Sequence, residues 1–165
     1  MDDLKLDNRR HITCRTPGVD PRVRFDMQVE TSIVINATSH QIWRHLTDPA
    51  SLMRDTGILK IEGRPAPGAR LKIWSEVAPE RAFTLRVTAF DPDSHMVWRG
   101  GMPFGLFTGE RSFDLTERNG ATELRVTECF SGPMARLITR SMPDLQPSFD
   151  KFAKAIKQMS EGDLS

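Results

Sequence analysis

Apolar residues follow two different periods along this chain. From Met27 the segment MQVETSIVI alternates at period two, which reads as a strand, and it runs into Asn36-Ala37-Thr38-Ser39, a helix-start signal. Ile42, Trp43 and Leu46 then share one helical face. Asp48-Pro49 stops that helix and restarts a shorter one through about Met53, since Asp caps and Pro suits a first turn. Between Gly57 and Gly132 the alternation returns. Leu71, Ile73 and Val77 share one parity, and Phe83, Leu85, Val87 and Ala89 are in phase beyond the turn at Ala78-Pro79-Glu80. Asp91-Pro92-Asp93-Ser94 is another turn, HMVWRGG the next strand, and Met102-Pro103-Phe104-Gly105 its break. Strands with one apolar and one polar face predict an antiparallel sheet covered on one side only.

The cover comes last. PMARLITRSM is helical in composition, and Phe149, Phe152, Ile156 and Met159 recur three and four apart, with Lys151, Lys154 and Lys157 outside. Pro143 and Pro147 rule out one straight rod and predict a kink or short loop over residues 142–146.

The final hairpin gives more than its existence. Asn119-Gly120 fits a two-residue turn between LFTGERSFDLTE and TELRVTECF, which sets the register. Leu115 then faces Leu124, Phe113 faces Val126, Gly109 faces Phe130, and Asp114 meets Arg125 on the other side. The same register sets Arg111 across from Glu128 on the apolar, inward face. A lone charge there would cost several kcal/mol, so the two are expected to pair, face internal water or hold a polar ligand group. Arg111 suits a carboxylate, phosphate or enolate, and Glu128 a proton or a hydroxyl. A paired strut inside the cup, or groups solvated at its mouth, is the leading reading of the two, because interior ion pairs are more often structural than catalytic.

Composition narrows the field. The chain has 165 residues, 38% hydrophobic and 27% charged, enough for one domain with its own core. Its 23 Lys and Arg nearly balance 22 Asp and Glu, which gives no bulk attraction to nucleic acid or anionic membranes. No apolar run is long enough for membrane insertion, and the first residues, MDDLKLDNRR, lack the run of a signal peptide. Cys14 and Cys129 match no metal spacing and predict reduced thiols, hence a cytoplasmic protein. His40 and His45 are not at the spacing of paired helical ligands, so they and His95 read as surface residues, and no metal or cofactor is expected. Residues 1–26, with five arginines among acids, read as an N-terminal arm, residues 27–160 as the folded domain and 161–165 as a tail.

The segments ATSHQIWRHLTDPASL, PGARLKI and WRGGMPFGLFTGERSFDL fall in an order of strand, two short helices, long meander and terminal helix. Together they resemble the START-like, or helix-grip, superfamily, in its polyketide cyclase/dehydrase (SRPBCC) flavour. The resemblance implies an α+β fold in which a curved antiparallel sheet of about six or seven strands wraps a long C-terminal helix around a cavity for hydrophobic small molecules. The expected lining here is Arg111, Glu128, Trp98, Met96, Phe83, Leu85, Phe113, Val126, Phe107, Phe149 and Phe152. Plain core packing is the preferred reading of Met96, and the glycine-punctuated loop through Phe107 is a candidate rim. The resemblance leads to a binder of an apolar molecule with a polar end. A cyclase or aromatase using Arg111 and Glu128, and a chaperone-linked interaction module, are the alternatives. A monomer or homodimer fits each of them.

Overall fold

The computed structural model describes residues 25–162. The chain opens with β1 (Phe25–Ile35), α1 (Ser39–Thr47) and α2 (Pro49–Leu52). A meander follows: β2 (Ile58–Glu62), β3 (Arg70–Ser75), β4 (Ala78–Asp91), β5 (His95–Gly101), β6 (Thr108–Arg118) and β7 (Ala121–Ser131). The last elements are α3 (Ala135–Arg140) and α4 (Gln146–Gly162). The seven strands form one curled antiparallel sheet in the order β1-β7-β6-β5-β4-β3-β2, with α4 against its concave face. This is the predicted α+β architecture.

Local chemistry fixes most boundaries. Thr38 caps α1: its hydroxyl accepts from Gln41 N–H while Gln41 Oε1 accepts from Thr38 N–H, a reciprocal capping box. Asp48 Oδ2 accepts from Ser51 N–H at 3.0 Å and starts α2, with Pro49 in its first turn. The β6–β7 turn places Asn119 and Gly120 at φ 53° and 79°, the left-handed values a type I′ turn requires. The register that follows is the one predicted, including Arg111 opposite Glu128. The helical region is split between α3 and α4, with Pro143 in the gap and Pro147 in the first turn of α4.

The structure departs from the sequence reading in three places. A bulge between Val87 and Ala89 shifts the phase of β4, so Ala89 pairs with Val97 on the outer face. Phe90 takes the inward position and meets Trp43 edge-on, 5.1 Å between centroids. Val77 lies in the β3–β4 turn, 41% exposed, instead of in a strand face. The sheet is also sheltered on both sides at its centre: Val97, Ser112, Thr127 and Cys129 point outward yet are buried.

The core fills the concave side. Ile42 and Leu46 of α1, Met96, Phe113 and Leu124 of the sheet, and Phe152 and Ile156 of α4 are all nearly inaccessible. Phe113 and Phe152 join sheet to helix with ring centroids 5.7 Å apart. Polar ties hold α4 at both sides of the cup. Thr31 donates to Asp150 Oδ1 (2.8 Å) and Gln146 Nε2 to Glu30 O (3.0 Å) on β1, while Lys151 reaches Glu76 beside the β3–β4 turn.

Carboxylates also tie the ends of elements. Glu117 on β6 accepts from Ser39 N–H (2.7 Å) and Oγ–H (2.8 Å), and Glu161 on α4 accepts from Asn36 N–H (2.9 Å). These backbone hydrogen bonds hold both carboxyls below the ordinary glutamate value of 4.5. A depressed folded pKa contributes stability above the unfolded value and loses it as pH falls through the folded one. The melting temperature is therefore expected to fall as pH drops below 4.5, and Glu117→Gln to flatten that fall in a pH series of thermal melts. An unchanged acid limb in the variant would contradict this account.

Candidate functional site

One cross-strand row organises the inner wall. Val87, Trp98, Arg111, Glu128 and Val29 are consecutive partners across β4, β5, β6, β7 and β1, all on the concave side. Its two charged members face each other as the hairpin arithmetic requires. Arg111 donates from both Nε (3.0 Å) and Nη2 (2.6 Å), and both bonds end on Glu128 Oε2. Glu128 Oε1 and Arg111 Nη1 therefore keep unused hydrogen-bonding capacity among the described residues. Phe149 of α4 covers the guanidinium, its ring centroid 4.6 Å away. The side chains of Arg111 and Glu128 remain 29% and 16% exposed, so the pair is sheltered but reachable.

Around it the wall changes character. Trp98 is 1% exposed and packs edge-on against Phe113 at 4.7 Å, while its Nε1–H has no acceptor among the described residues. An unmet buried donor costs about 1–3 kcal/mol, which marks this spot as polar in an apolar wall. Beyond Trp98 and Arg111 come Gly100 and Gly109, paired with each other. A Cβ on Gly100 would lie 2.5 Å from Leu85 Cδ2 and 2.8 Å from Thr84 O, so only glycine lets β4 pack there. A Cβ on Gly109 would come within 3.4 Å of Glu128 Oε1, so glycine leaves room beside that oxygen. Phe130, which borders Gly109, stacks on Phe107 with 5.6 Å between centroids.

The eleven residues expected to line a cavity fall into three groups. Arg111, Glu128, Phe149 and Trp98 come together as described. Met96, Phe113, Val126 and Phe152 sit in the packed core, none more than 4% exposed. Leu85 and Phe107 are half-buried, and Phe83, 36% exposed, lies out on β4 beneath the Arg81 guanidinium.

Two clefts open on the surface, and neither contains Arg111 or Glu128. One, about 310 Å³, is lined by Arg44, His45, Thr47, Asp48, Ser51 and Arg64. His45, expected at the surface, is only 8% exposed; its Nδ1 lies 3.0 Å from Ser51 Oγ, which donates to Asp48 Oδ2 at 2.9 Å. Burial pushes the Asp48 carboxyl up, but bonds from Ser51 and Ala50 and the nearby Arg64 outweigh it, leaving the pKa below the ordinary value. The signal missed in the sequence was Ser51, whose hydroxyl lets α1 bury an imidazole. The other cleft, about 590 Å³, runs along the polar side of α4 from Pro147 to Gln158.

Two further expectations are corrected. His95 is not a surface residue: its side chain is 12% exposed and its Nδ1 lies 2.6 Å from Asp114 Oδ1, because the two are strand partners. Cys129 is not a reduced thiol: it is buried and disulfide-bonded, which removes the support that reduced thiols lent to a cytoplasmic location. Among the described residues no three His, Cys, Asp or Glu side chains gather as metal ligands, and no helix is long and apolar enough to cross a membrane. The anticipated N-terminal arm, with the rest of residues 1–24, and residues 163–165 lie outside the described residues.

Comparison with known proteins follows the same lines. Residues 26–161 match the family profile described as polyketide cyclase/dehydrase and lipid transport. No curated protein matches by sequence. Among solved structures, the ZhuI aromatase/cyclase from Streptomyces sp. R1128 superposes with a TM-score of 0.66 at 15% identity, covering 84% of this chain and 96% of that one. The Aha1 dimer from Colwellia psychrerythraea gives 0.63 at 19% identity over 82% and 96%. A protein from Mesorhizobium loti gives 0.64 at 20% over 81% and 96%. At these identities the likeness is one of fold.

Proposed function

Because the chain belongs to the polyketide cyclase/dehydrase and lipid transport family, we propose that it binds an apolar small molecule whose polar end meets Arg111 and Glu128. The observation that carries this reading is the one-sided ion pair. Both Arg111 bonds end on Glu128 Oε2, so a donor can reach Oε1 and an acceptor Nη1 without breaking the pair. Phe149, Phe107 and Phe130 supply apolar surface next to those atoms. A hydroxyl, enol or carboxyl group on an otherwise apolar body matches this pattern.

A second reading uses the same atoms for chemistry. Glu128 Oε1 would accept a proton from an acidic C–H or O–H, and Arg111 would stabilise the developing enolate, as a cyclase or aromatase requires. The structural likeness to an aromatase/cyclase supports keeping this reading beside the first. Glu128→Gln separates the two, because it keeps shape and hydrogen bonding but removes the base. Native mass spectrometry of protein exposed to a cell extract is expected to show a bound small molecule in both wild type and Glu128→Gln. Binding retained with product formation lost in the variant would favour the enzyme, and no retained molecule in either protein would sink the binding reading.

A further inference from the structure

Four of the apolar side chains that the core leaves out, the two most exposed among them, lie on two segments joined at one end of the sheet. The β5–β6 loop exposes Met102, Phe104 and Leu106, and Phe104 is 99% exposed. Met134 N–H donates to Leu106 O at 2.9 Å, which ties this loop to the start of α3, where Leu137 is 66% exposed. Phe104 also holds φ 60°, ψ 20°, a left-handed conformation that strains a bulky residue and suits Gly or Asn. A ring kept fully in water on a strained backbone adds nothing to the fold, so its use lies outside the chain.

Charge identifies the partner. Residues 100–109 carry no charged side chain, and residues 132–143 carry Arg136 and Arg140 with no acidic residue. Both arginines are exposed and have no ion pair among the described residues, so their charge is open to a partner. A protruding aromatic tip flanked by aliphatic side chains and unpaired guanidinium groups complements an anionic lipid surface, whose headgroups meet the cations and whose acyl boundary takes the ring.

We propose that this rim, Met102, Phe104, Leu106, Leu137, Arg136 and Arg140, docks the protein peripherally on an anionic lipid bilayer. The near-zero net charge does not oppose this, since only charges within about 10 Å of the surface act at ordinary salt. On the same loop Phe107 stacks on Phe130, beside Gly109 and the Arg111–Glu128 pair. Docking thus turns the mouth of the proposed ligand site toward the bilayer; only that consequence rests on the ligand reading.

The test is sedimentation of the full chain with vesicles of phosphatidylcholine alone and of phosphatidylcholine mixed with phosphatidylglycerol, without added ligand. Wild type is expected to cosediment with the mixed vesicles, more weakly at high salt and with neutral vesicles. Phe104→Asn accepts the left-handed backbone, so it is expected to hold or raise the melting temperature while weakening vesicle binding about tenfold. Arg136→Gln/Arg140→Gln is expected to lose about tenfold on anionic vesicles alone. Undiminished binding by Phe104→Asn, or no cosedimentation of wild type, would overturn the proposal. So would a concentration-dependent dimer, seen by light scattering, that Phe104→Asn abolishes with no effect on vesicles. Because no pocket ligand is involved, failure of the ligand reading leaves this result standing.

Discussion

Truncating Phe152 to alanine is expected to cost about 3–5 kcal/mol of folding stability, a large share of the roughly 5–15 kcal/mol available to a domain of this size. The ring is 4% exposed and meets Phe113 of β6, itself fully buried, at 5.7 Å. It stands in the middle of the apolar stripe of α4, where the helix cannot settle inward without pulling on its polar ties to β1 and the β3–β4 turn. The hole should therefore stay open, and the cost should sit at the high end for its size. Urea unfolding followed by tryptophan fluorescence would measure it, with Lys154→Ala on the exposed side of α4 as a control within about 0.5 kcal/mol. A loss under about 1 kcal/mol would show instead that helix and sheet already part easily at this point.

The second large effect concerns the ion pair. Arg111→Met leaves the sheltered Glu128 without its cation, and the expected cost is about 1–3 kcal/mol, below the 3–5 of a fully buried pair because both groups keep some solvent. Glu128→Leu strands the arginine in the same way. The double variant, with both charges gone, is expected to recover most of the combined loss, since it removes the desolvation penalty together with the attraction. Four melts, of the wild type and the three variants, therefore yield the coupling between the two side chains. A coupling near zero would mean that water already satisfies both groups and that the pair is no strut.

How much of this was legible in advance depends on the range of the interaction. The capping box at Thr38–Gln41, the Asp48-Pro49 restart and the Asn119-Gly120 turn are decided by neighbours in sequence, and the turn alone carried the register that brought Arg111 to Glu128. The break between α3 and α4 was legible for the same reason, because proline acts on its own turn. The bulge after Val87 was not, since inserting one residue into β4 changes no local propensity and is settled by Phe90 reaching Trp43 on another element. Nor were the burial of His45, the exposure of Phe104 or the unmet donor of Trp98, each of which depends on what distant segments bring or fail to bring. Within the candidate site, the sequence showed that a charge pair faces inward. That both bonds fall on one carboxylate oxygen depends on side-chain geometry, which the hairpin register does not fix.

The placement of β1 beside β7 has a consequence for how the molecule is made. Strands β2 to β7 can zip as successive hairpins, each needing only its neighbour in the chain. β1 is made before them, yet its partner is the last strand of all; Ser32 meets Glu123 across 91 positions. Such distant closure slows folding, and until it occurs the first strand carries bare backbone hydrogen-bonding groups and the apolar residues Val29, Ile33 and Ile35. During synthesis, then, this protein passes through a long interval in which its first strand is complete and unpartnered, and that interval is where chaperone capture or aggregation would act.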